Sequence, residues 1–210
     1  MKLVIFGASG RTGIALVEQA LAAGHEVVAS VRTPAKLPIQ HERLTVLQGD
    51  VMKAADVEQA VAGGNVVLLA LGHAKNSPAD IQAVATRHIL AAMQKHAVKR
   101  LITLTGAGVA APQDKPKLFN HLIKFALKTL SGSVLKDAEE HLRLIQAQPG
   151  LEWVVVRVPM LTDGPRTGNY RVGWVGVNTG PRIARADVAD FMLKQVNDDR
   201  FVGQMPMISD

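Results

Sequence analysis

Three glycines near the start of the chain, Gly7, Gly10 and Gly13, constrain the fold more than any other feature. They follow a short apolar run, Leu3–Phe6, and precede a long alanine-rich segment with helical spacing. Glycines are also common in purely structural turns, but this triplet stands where a strand should turn into a helix. There they permit a tight turn, let backbone N–H groups approach a pyrophosphate and allow the helix to pack closely. The spacing therefore predicts the nucleotide-binding turn of a Rossmann fold.

Aliphatic and β-branched runs alternate with amphipathic segments along the rest of the chain. The predicted strands are Leu3–Phe6, Glu26–Val31, Leu44–Leu47, Val66–Leu71, Arg100–Leu104 and Trp153–Val158, with a short final strand in Gln204–Ile208. The predicted helices are Thr12–Ala23, Ala55–Ala62, Ala79–His96, Lys136–Gln148 and Arg185–Gln195, the last with Asp187 as its N-cap. This alternation predicts an α/β fold with a Rossmann-type, doubly wound parallel sheet. No linker divides the chain, so we expect a single domain over residues 1–210 with a small C-terminal substrate-binding region.

The composition excludes several classes of site. The chain has no cysteine, which rules out disulfides, thiol catalysis and cysteine-bound metals. Its histidines lack the spacing of metal ligands, so no metal is predicted. The apolar runs are too short for a secretory signal or a membrane span, and we expect a cytoplasmic protein without membrane contact. The formal charge is +6 but aromatic residues are scarce. This favours a positive cleft for small anionic ligands over nucleic acid.

The residues after the second predicted strand indicate which nucleotide is bound. A carboxylate there would hold the ribose 2′-hydroxyl of NAD, but the strand ends in Ser30-Val31-Arg32. Lys36 follows four residues later, and Arg11 lies within the glycine turn. Three cations near the ribose suit the 2′-phosphate of NADPH, which Arg32 can bind through two parallel hydrogen bonds. The alternative, for Lys36 in particular, is an ordinary surface charge.

Ligands of such folds bind at the carboxyl ends of the strands. The third to sixth predicted strands are followed by residues suited to a dinucleotide: Asp50, Val51, Leu71, Gly72, Thr105, Pro159 and Met160. Asp50 can accept a hydrogen bond from the adenine amino group while Val51 packs on the ring; otherwise Asp50 caps the segment that follows. Thr105 can orient the acceptor or the nicotinamide carboxamide, although a hydroxyl at a strand end is often a local cap.

Several of these segments also carry a family resemblance. They are Phe6–Gly13, Val31-Arg32, Gln48–Val51, Ala54–Val57, Val61–Gly63, Ile89–Met93, Arg166–Tyr170 and Asp190–Leu193. In them the chain resembles the atypical short-chain dehydrogenase/reductase proteins of the NAD(P)-binding NmrA-like group, most of all the biliverdin-IXβ reductase/flavin reductase type. The resemblance implies NADPH-dependent hydride transfer to a planar acceptor such as a flavin, a quinone or a tetrapyrrole.

Carried over by position, the resemblance implies a set of cofactor contacts. They are Gly7, Ser9, Gly10, Arg11, Thr12, Arg32, Lys36, Asp50, Val51, Leu71 and Gly72. The chain departs from the reductase pattern in the substrate half. Gly106 stands where the relatives have a serine after the threonine, and Met160 replaces a histidine after Pro159.

The catalytic group of ordinary short-chain dehydrogenases is missing. Their tyrosine is followed four residues later by a lysine, whereas the single tyrosine of this chain, Tyr170, is followed by Trp174. Reduction of an electron-poor planar acceptor does not need that pair, and orientation plus a nearby cation can suffice. Thr105 and Lys136 are the candidates for these two roles, with a solvated lysine as the alternative for Lys136. The walls of the substrate pocket are expected near residues 106–135 and 160–180.

Three functions fit these features to different degrees. The first is an NADPH-dependent flavin or quinone reductase. The second is a regulatory protein that senses the redox state by binding NADP(H) without turnover, as NmrA-like relatives do. The third, a nucleotide-sugar epimerase or dehydratase, is disfavoured by the missing tyrosine/lysine pair. No helix shows a spare apolar face, so a monomer or a weak homodimer is expected.

Overall fold

The computed structural model describes residues 1–74, 76–116 and 132–210. Its strands are β1 (Lys2–Phe6), β2 (Glu26–Val31), β3 (Leu44–Gln48), β4 (Val66–Leu69), β5 (Arg100–Gly106), β6 (Glu152–Val158), β7 (Met160–Thr162), β8 (Arg171–Gly173), β9 (Arg182–Ala184) and β10 (Met207–Ser209). Its helices are α1 (Arg11–Ala22), α2 (Ala54–Val61), α3 (Ile81–Lys95), α4 (Gly132–Gln146) and α5 (Arg185–Lys194), with a 3₁₀ turn at Pro34–Lys36.

Eight strands form the central sheet in the order β3-β2-β1-β4-β5-β6-β10-β8. Strands β1 to β6 pair in parallel, and helices cover both faces of the sheet. In β1, Leu3 and Ile5 pack against α1 and α5, while Val4 and Phe6 face α2, α3 and α4. Burial on both faces explains why these strands read as continuous apolar runs. The predicted α/β fold class, a doubly wound Rossmann-type sheet, is confirmed.

The C-terminal third departs from the predicted strand pattern. Strand β8 runs antiparallel to β10, and β7 and β9 form a separate two-stranded sheet. None of β7, β8 and β9 was predicted, because three residues carry too little periodicity to be recognised. The final strand lies at Met207–Ser209 instead of Gln204–Ile208, since Pro206 lacks the N–H that an inner strand donates.

Two helix predictions were wrong in detail. Asp187 is not an N-cap: α5 begins at Arg185, and Asp187 lies within its first turn. There its Oδ1 accepts hydrogen bonds from the backbone N–H groups of Thr167 and Gly168, at 2.8 Å each. The helix predicted over Lys136–Gln148 lies earlier in the chain: in the described residues α4 runs over Gly132–Gln146, so Lys136 is inside it and not at its start.

The first predicted wall of the substrate pocket, residues 106–135, lies partly outside the described residues, which leave out 117–131. No helix among those described is long and apolar enough to span a bilayer.

Candidate functional site

The strand register brings the predicted site residues to one edge of the sheet. Phe6 is level with Ser30 on one side and with Leu69 on the other. Leu69 in turn is level with Thr103 of β5, and β5 ends beside β6 with Gly106 level with Val158. The residues that follow these strands therefore share the carboxyl edge, where Rossmann folds bind their ligands.

The glycine turn is as tight as its spacing predicts. Gly7 has a φ of +75°, a conformation that side chains disfavour. A Cβ on Gly13 would lie 2.1 Å from the carbonyl oxygen of Gly7, and one on Gly10 would lie 3.2 Å from the same atom. Gly13 therefore lets α1 pack directly on the turn, which places the helix N-terminus at the sheet edge.

The N-terminus of α1 is open to an anion. Its N-cap, Gly10, supplies no side-chain hydrogen bond, and its first turn contains no acidic residue. Within the described residues, the backbone N–H groups of Arg11, Thr12 and Gly13 have no acceptor. Ser9 is half-buried beside them, and the Thr12 side chain is buried. Free N–H groups at the positive end of a helix dipole suit a pyrophosphate.

Two of the three predicted cations are unengaged. Arg32 directly follows β2 and Lys36 ends the 3₁₀ turn; both are exposed, and neither pairs with a described residue. Arg11 instead forms an ion pair of 2.8 Å with Asp163, whose other oxygen binds Arg185 at 2.5 Å. The side chains of Arg11 and Asp163 are 70% and 62% exposed. Such an exposed pair contributes little, so Arg11 can exchange Asp163 for a phosphate.

The two predicted adenine contacts, Asp50 and Val51, follow β3. Local contacts restrict what either side chain can offer to a ligand. The Oδ1 atom of Asp50 accepts a hydrogen bond of 3.0 Å from the backbone N–H of Met52. This is the local turn that the sequence left open as an alternative, although the helix N-cap itself is Lys53. The side chain of Val51 is largely buried in the core, which leaves little of it for contact with an adenine ring.

The predicted nicotinamide end of the edge carries two glycines without close neighbours. A Cβ built on Gly72 or on Gly106 would meet no heavy atom of the described residues within 4 Å. Beside them, the hydroxyl of Thr105 is buried and has no hydrogen-bond partner among the described residues. Pro159 is half-buried, and Met160 beyond it is 64% exposed. A buried hydroxyl without a partner is costly unless a ligand completes it.

Neither Lys136 nor Tyr170 belongs to a tyrosine/lysine pair of the kind that ordinary short-chain dehydrogenases use. Lys136 is exposed on α4, and the residue four positions before it is Gly132, so no tyrosine accompanies it on that helix. Tyr170 does contact a lysine: Lys194 donates a hydrogen bond of 3.0 Å to its Oη. However, burial and the Asp190 carboxylate beside it raise the pKa of Tyr170 well above its usual value. Tyr170 is therefore a poor proton donor, and its place is against α5.

A His–Asp pair at the same edge was missed in the sequence. Asp137 of α4 is buried, and its carboxylate accepts hydrogen bonds of 2.9 Å from the N–H groups of Gln82 and Ala83 in the first turn of α3. Its Oδ2 also lies 3.0 Å from Nε2 of His73, which comes directly after Gly72. The same Nε2 lies 3.2 Å from the carbonyl oxygen of Ala79. No local pattern signals a helix cap supplied by a distant helix.

A second buried group, His141, was also missed. Its Nδ1 lies 2.5 Å from Oγ1 of Thr86, and its Nε2 lies 3.2 Å from Oγ1 of Thr103. Thr86 donates its own proton to the carbonyl oxygen of Gln82 at 2.6 Å. Nδ1 therefore carries the imidazole proton and Nε2 is an acceptor. The Thr103 hydroxyl, which also lies 3.3 Å from the carbonyl oxygen of Leu69, can donate to either. Burial lowers the pKa of His141 to about 4, which keeps this side chain neutral.

A buried ion pair fastens the segment after β5 to β6. Arg157 of β6 is fully buried and binds both oxygens of Asp114 at 2.7 Å. Its remaining N–H groups donate to the carbonyl oxygens of Met205 and Val109, at 2.8 and 3.0 Å. The guanidinium also lies 5.9 Å from the ring centroid of Trp174. An arginine inside an apolar strand could have indicated a buried partner, but not which one.

The charge of Asp114 is well compensated. Burial alone would raise its pKa, but hydrogen bonds from Arg157 and from the backbone N–H of Ala111, Coulombic attraction to Arg157 and the backbone N–H of Val175 together hold the pKa below its usual value. Asp114 thus fastens the segment after β5 to the segment after β8.

Taken together, the edge offers what a dinucleotide requires: a tight glycine turn, free helix N–H groups, two unengaged cations and an unpartnered hydroxyl. No group of three or more histidine and carboxylate side chains within the described ranges could hold a metal ion.

Comparison with known proteins agrees with this geometry. The uncharacterized protein YwnB of Bacillus subtilis (strain 168) is 28% identical over 178 residues, which are 82% of this chain and 79% of YwnB. A short-chain dehydrogenase/reductase of Veillonella parvula DSM 2008, solved in complex with NADP, superposes with a TM-score of 0.81 at 19% identity, covering 100% of this chain and 94% of that one. ChuY of Escherichia coli O157:H7, an anaerobillin reductase, has a TM-score of 0.76 at 23% identity, covering 100% and 97%.

The family itself is shown by a match that spans most of the chain. The model of the NAD(P)H-binding family matches residues 7–199. This match begins at the glycine turn and includes the ends of β2, β4, β5 and β6, and it confirms the predicted nicotinamide dinucleotide cofactor. The chain is a member of the NAD(P)H-binding family.

Proposed function

We propose that this protein is an NADPH-dependent reductase that passes a hydride to a planar acceptor, such as a flavin, a quinone or a tetrapyrrole. The observation that carries the proposal is the pair of bare strand ends at Gly72 and Gly106. Both positions lack a side chain, and no described residue lies within 4 Å of where a Cβ would be. Since β4 and β5 are neighbours, a flat group has room to lie across this edge.

The cofactor is held by backbone and charge at the other end of the cleft. The free N–H groups at the start of α1, reached through Gly7, Ser9 and Gly10, bind the pyrophosphate. Arg32 and Lys36, with Arg11 after its release from Asp163, bind the 2′-phosphate, which selects NADPH over NADH. The remaining predicted contacts line the path between adenine and nicotinamide. They are Thr12, Asp50, Val51, Leu71, Gly72, Pro159 and Met160.

Bound NADPH supplies the hydride. The chain itself supplies orientation: the unpartnered hydroxyl of Thr105 fixes the carboxamide or the acceptor, and the bare glycines admit the flat ring. Lys136, exposed on α4, provides a cation for the charge that arrives on the acceptor. The walls of this pocket are the segments 106–135 and 160–180, whose described parts are joined by the hydrogen bond from the backbone N–H of Val175 to Asp114. ChuY, which shares the fold, is a reductase, and this supports reduction as the reaction class.

The test is the rate of NADPH oxidation with FMN and with a simple quinone, run beside NADH. We expect turnover with NADPH and little with NADH. Arg32→Ala should reduce the NADPH preference by about 10- to 100-fold, since one charge-assisted bidentate contact contributes about 1.5–3 kcal/mol. Arg43→Ala removes the same charge at the opposite edge of the sheet, where Arg43 contacts the carbonyl oxygen of Gly24, and should leave the preference unchanged.

Two outcomes would contradict the proposal. Equal use of NADPH and NADH by the wild type would remove the role of Arg32. Tight NADPH binding without turnover on any planar acceptor would instead favour the NADP(H)-binding sensor.

A further inference from the structure

The His73–Asp137 pair has one defined proton position. Nε2 of His73 lies within hydrogen-bond distance of Oδ2 of Asp137 and of the carbonyl oxygen of Ala79, at 3.0 and 3.2 Å. Both neighbours accept hydrogen bonds: one is a carbonyl oxygen, and the carboxylate of Asp137 already accepts two backbone N–H groups. Nε2 must carry a proton and donate it. The ring is thus fixed in one orientation by its inner nitrogen.

The carboxylate behind this histidine is rigidly placed. The side chain of Asp137 is 1% exposed, and it replaces the side-chain cap that Asp80 does not supply to α3. The positive end of that helix stabilises the negative charge. A buried carboxylate that holds an imidazole in one tautomer and stabilises its protonated form is a recurring element of proton-transfer sites.

The outer nitrogen of His73 points away from these contacts. Nδ1 has no partner among the described residues, and the side chain of His73 is 17% exposed. His73 directly follows Gly72, so Nδ1 lies at the carboxyl edge to which the acceptor is assigned.

Reduction of a neutral quinone also requires a proton donor, and no residue assigned so far supplies that proton. A hydride brings two electrons and one proton, and the product is an anion until a second proton arrives. Tyr170 is held elsewhere and binds its proton tightly. Within the proposed function, on which this inference rests, we propose that His73 is the proton donor and that Asp137 is its positioning residue.

In the proposed proton transfer, the Nδ1–H bond of the protonated His73 breaks and its electron pair stays on the ring nitrogen. An O–H bond forms on the reduced acceptor. The imidazole becomes neutral while Nε2 keeps its hydrogen bond to Asp137. Water then returns a proton to Nδ1 before the next cycle. The inference narrows the acceptor to compounds whose reduced form must be protonated, such as quinones.

The test compares two acceptors in wild type and His73→Gln. A benzoquinone needs a proton after hydride transfer, whereas a planar cation such as N-methylacridinium becomes neutral on accepting hydride and needs none. We expect the ratio of quinone to acridinium turnover to fall about 100-fold in His73→Gln, the usual contribution of a positioned acid. The slowing of quinone turnover in D₂O should be lost as well.

The control is His96→Gln. His96 also faces a carboxylate, with Nε2 3.9 Å from Oε1 of Glu58, but lies at the opposite end of α3. Its turnover ratio should match the wild type. A second readout is independent of turnover: the dissociation constant of NADPH, measured by fluorescence, should be similar in all three proteins.

The outcomes separate this inference from the function on which it rests. A wild type that reduces neither acceptor overturns the proposed function and the role of His73 with it. A wild type that reduces both, with the same ratio in His73→Gln, overturns only the proton donor. Equal losses with both acceptors and weaker NADPH binding mean that His73 merely fastens the loop, which also overturns the inference.

Discussion

Lowering the pH should destabilise this protein through one buried side chain, His141. It is enclosed between α4 and the sheet, where its ring nitrogens form hydrogen bonds with the hydroxyls of Thr86 and Thr103. Neither hydroxyl carries a negative charge that could offset a positive charge on the imidazole. Burial lowers its pKa from the usual 6.5 to about 4. In the unfolded chain the imidazole binds a proton below about pH 6.5, whereas the folded protein resists protonation until about pH 4. Stability is therefore lost as the pH falls through this window and changes little from this group outside it.

The magnitude follows from the difference between the two pKa values. A change from 6.5 to about 4 at 1.36 kcal/mol per unit corresponds to about 3 kcal/mol. Urea unfolding of wild type and His141→Gln between pH 8 and 4 measures it. Other titrating groups, such as Asp114 and Asp190, contribute equally to both proteins and cancel in the difference. We expect the stability advantage of the wild type to shrink by about 3 kcal/mol on acidification. A difference that is constant with pH would refute the reasoning.

Two further predictions concern packing and charge. Gly13→Ala should destabilise the fold by about 3 kcal/mol or more and abolish cofactor binding, because its Cβ would lie 2.1 Å from a carbonyl oxygen. Gly106→Ala adds the same methyl group where no described residue lies within 4 Å. It should change the free energy of unfolding by less than about 0.5 kcal/mol. Equal effects of the two, measured by thermal and urea unfolding, would show that the glycine turn is not tight. Asp114→Asn should lower the stability by about 3 kcal/mol, because it leaves the buried guanidinium of Arg157 without its counter-ion; a loss below about 1 kcal/mol would mean that the backbone acceptors alone suffice.

The backbone of the fold could be predicted from the sequence because its signals are local. An apolar run of four to six residues, three glycines and an amphipathic helix specify the first β–α unit without knowledge of anything distant. The errors lie where that condition fails. Strands β7, β8 and β9 are held by their neighbours and carry no period of their own. Asp187 was misread because an acidic residue suits both the cap and the first turn of a helix.

The side-chain networks of the site could be predicted only in part. The glycines, Arg32 and Lys36 follow the ends of strands. The sheet topology alone therefore predicts that they lie at the carboxyl edge of the sheet. Asp114 and Arg157 are separated by 43 residues, and no pattern in either segment specifies the partner. The same holds for Asp137, whose carboxylate accepts the backbone N–H of Gln82, 55 residues earlier in the chain.

The contact between Asp114 and Arg157 has a consequence for how the cleft moves. The carboxylate also accepts the backbone N–H of Val175, and the N–H of Lys115 donates to the carbonyl oxygen of that residue. Moving the segment after β5 away from β6 would leave the buried charge of Arg157 without its counter-ion, at a cost of about 3–5 kcal/mol. At this anchor the segment after β5 therefore stays against the sheet, the segment after β8 is attached to it only by backbone hydrogen bonds, and a ligand must enter away from the ion pair.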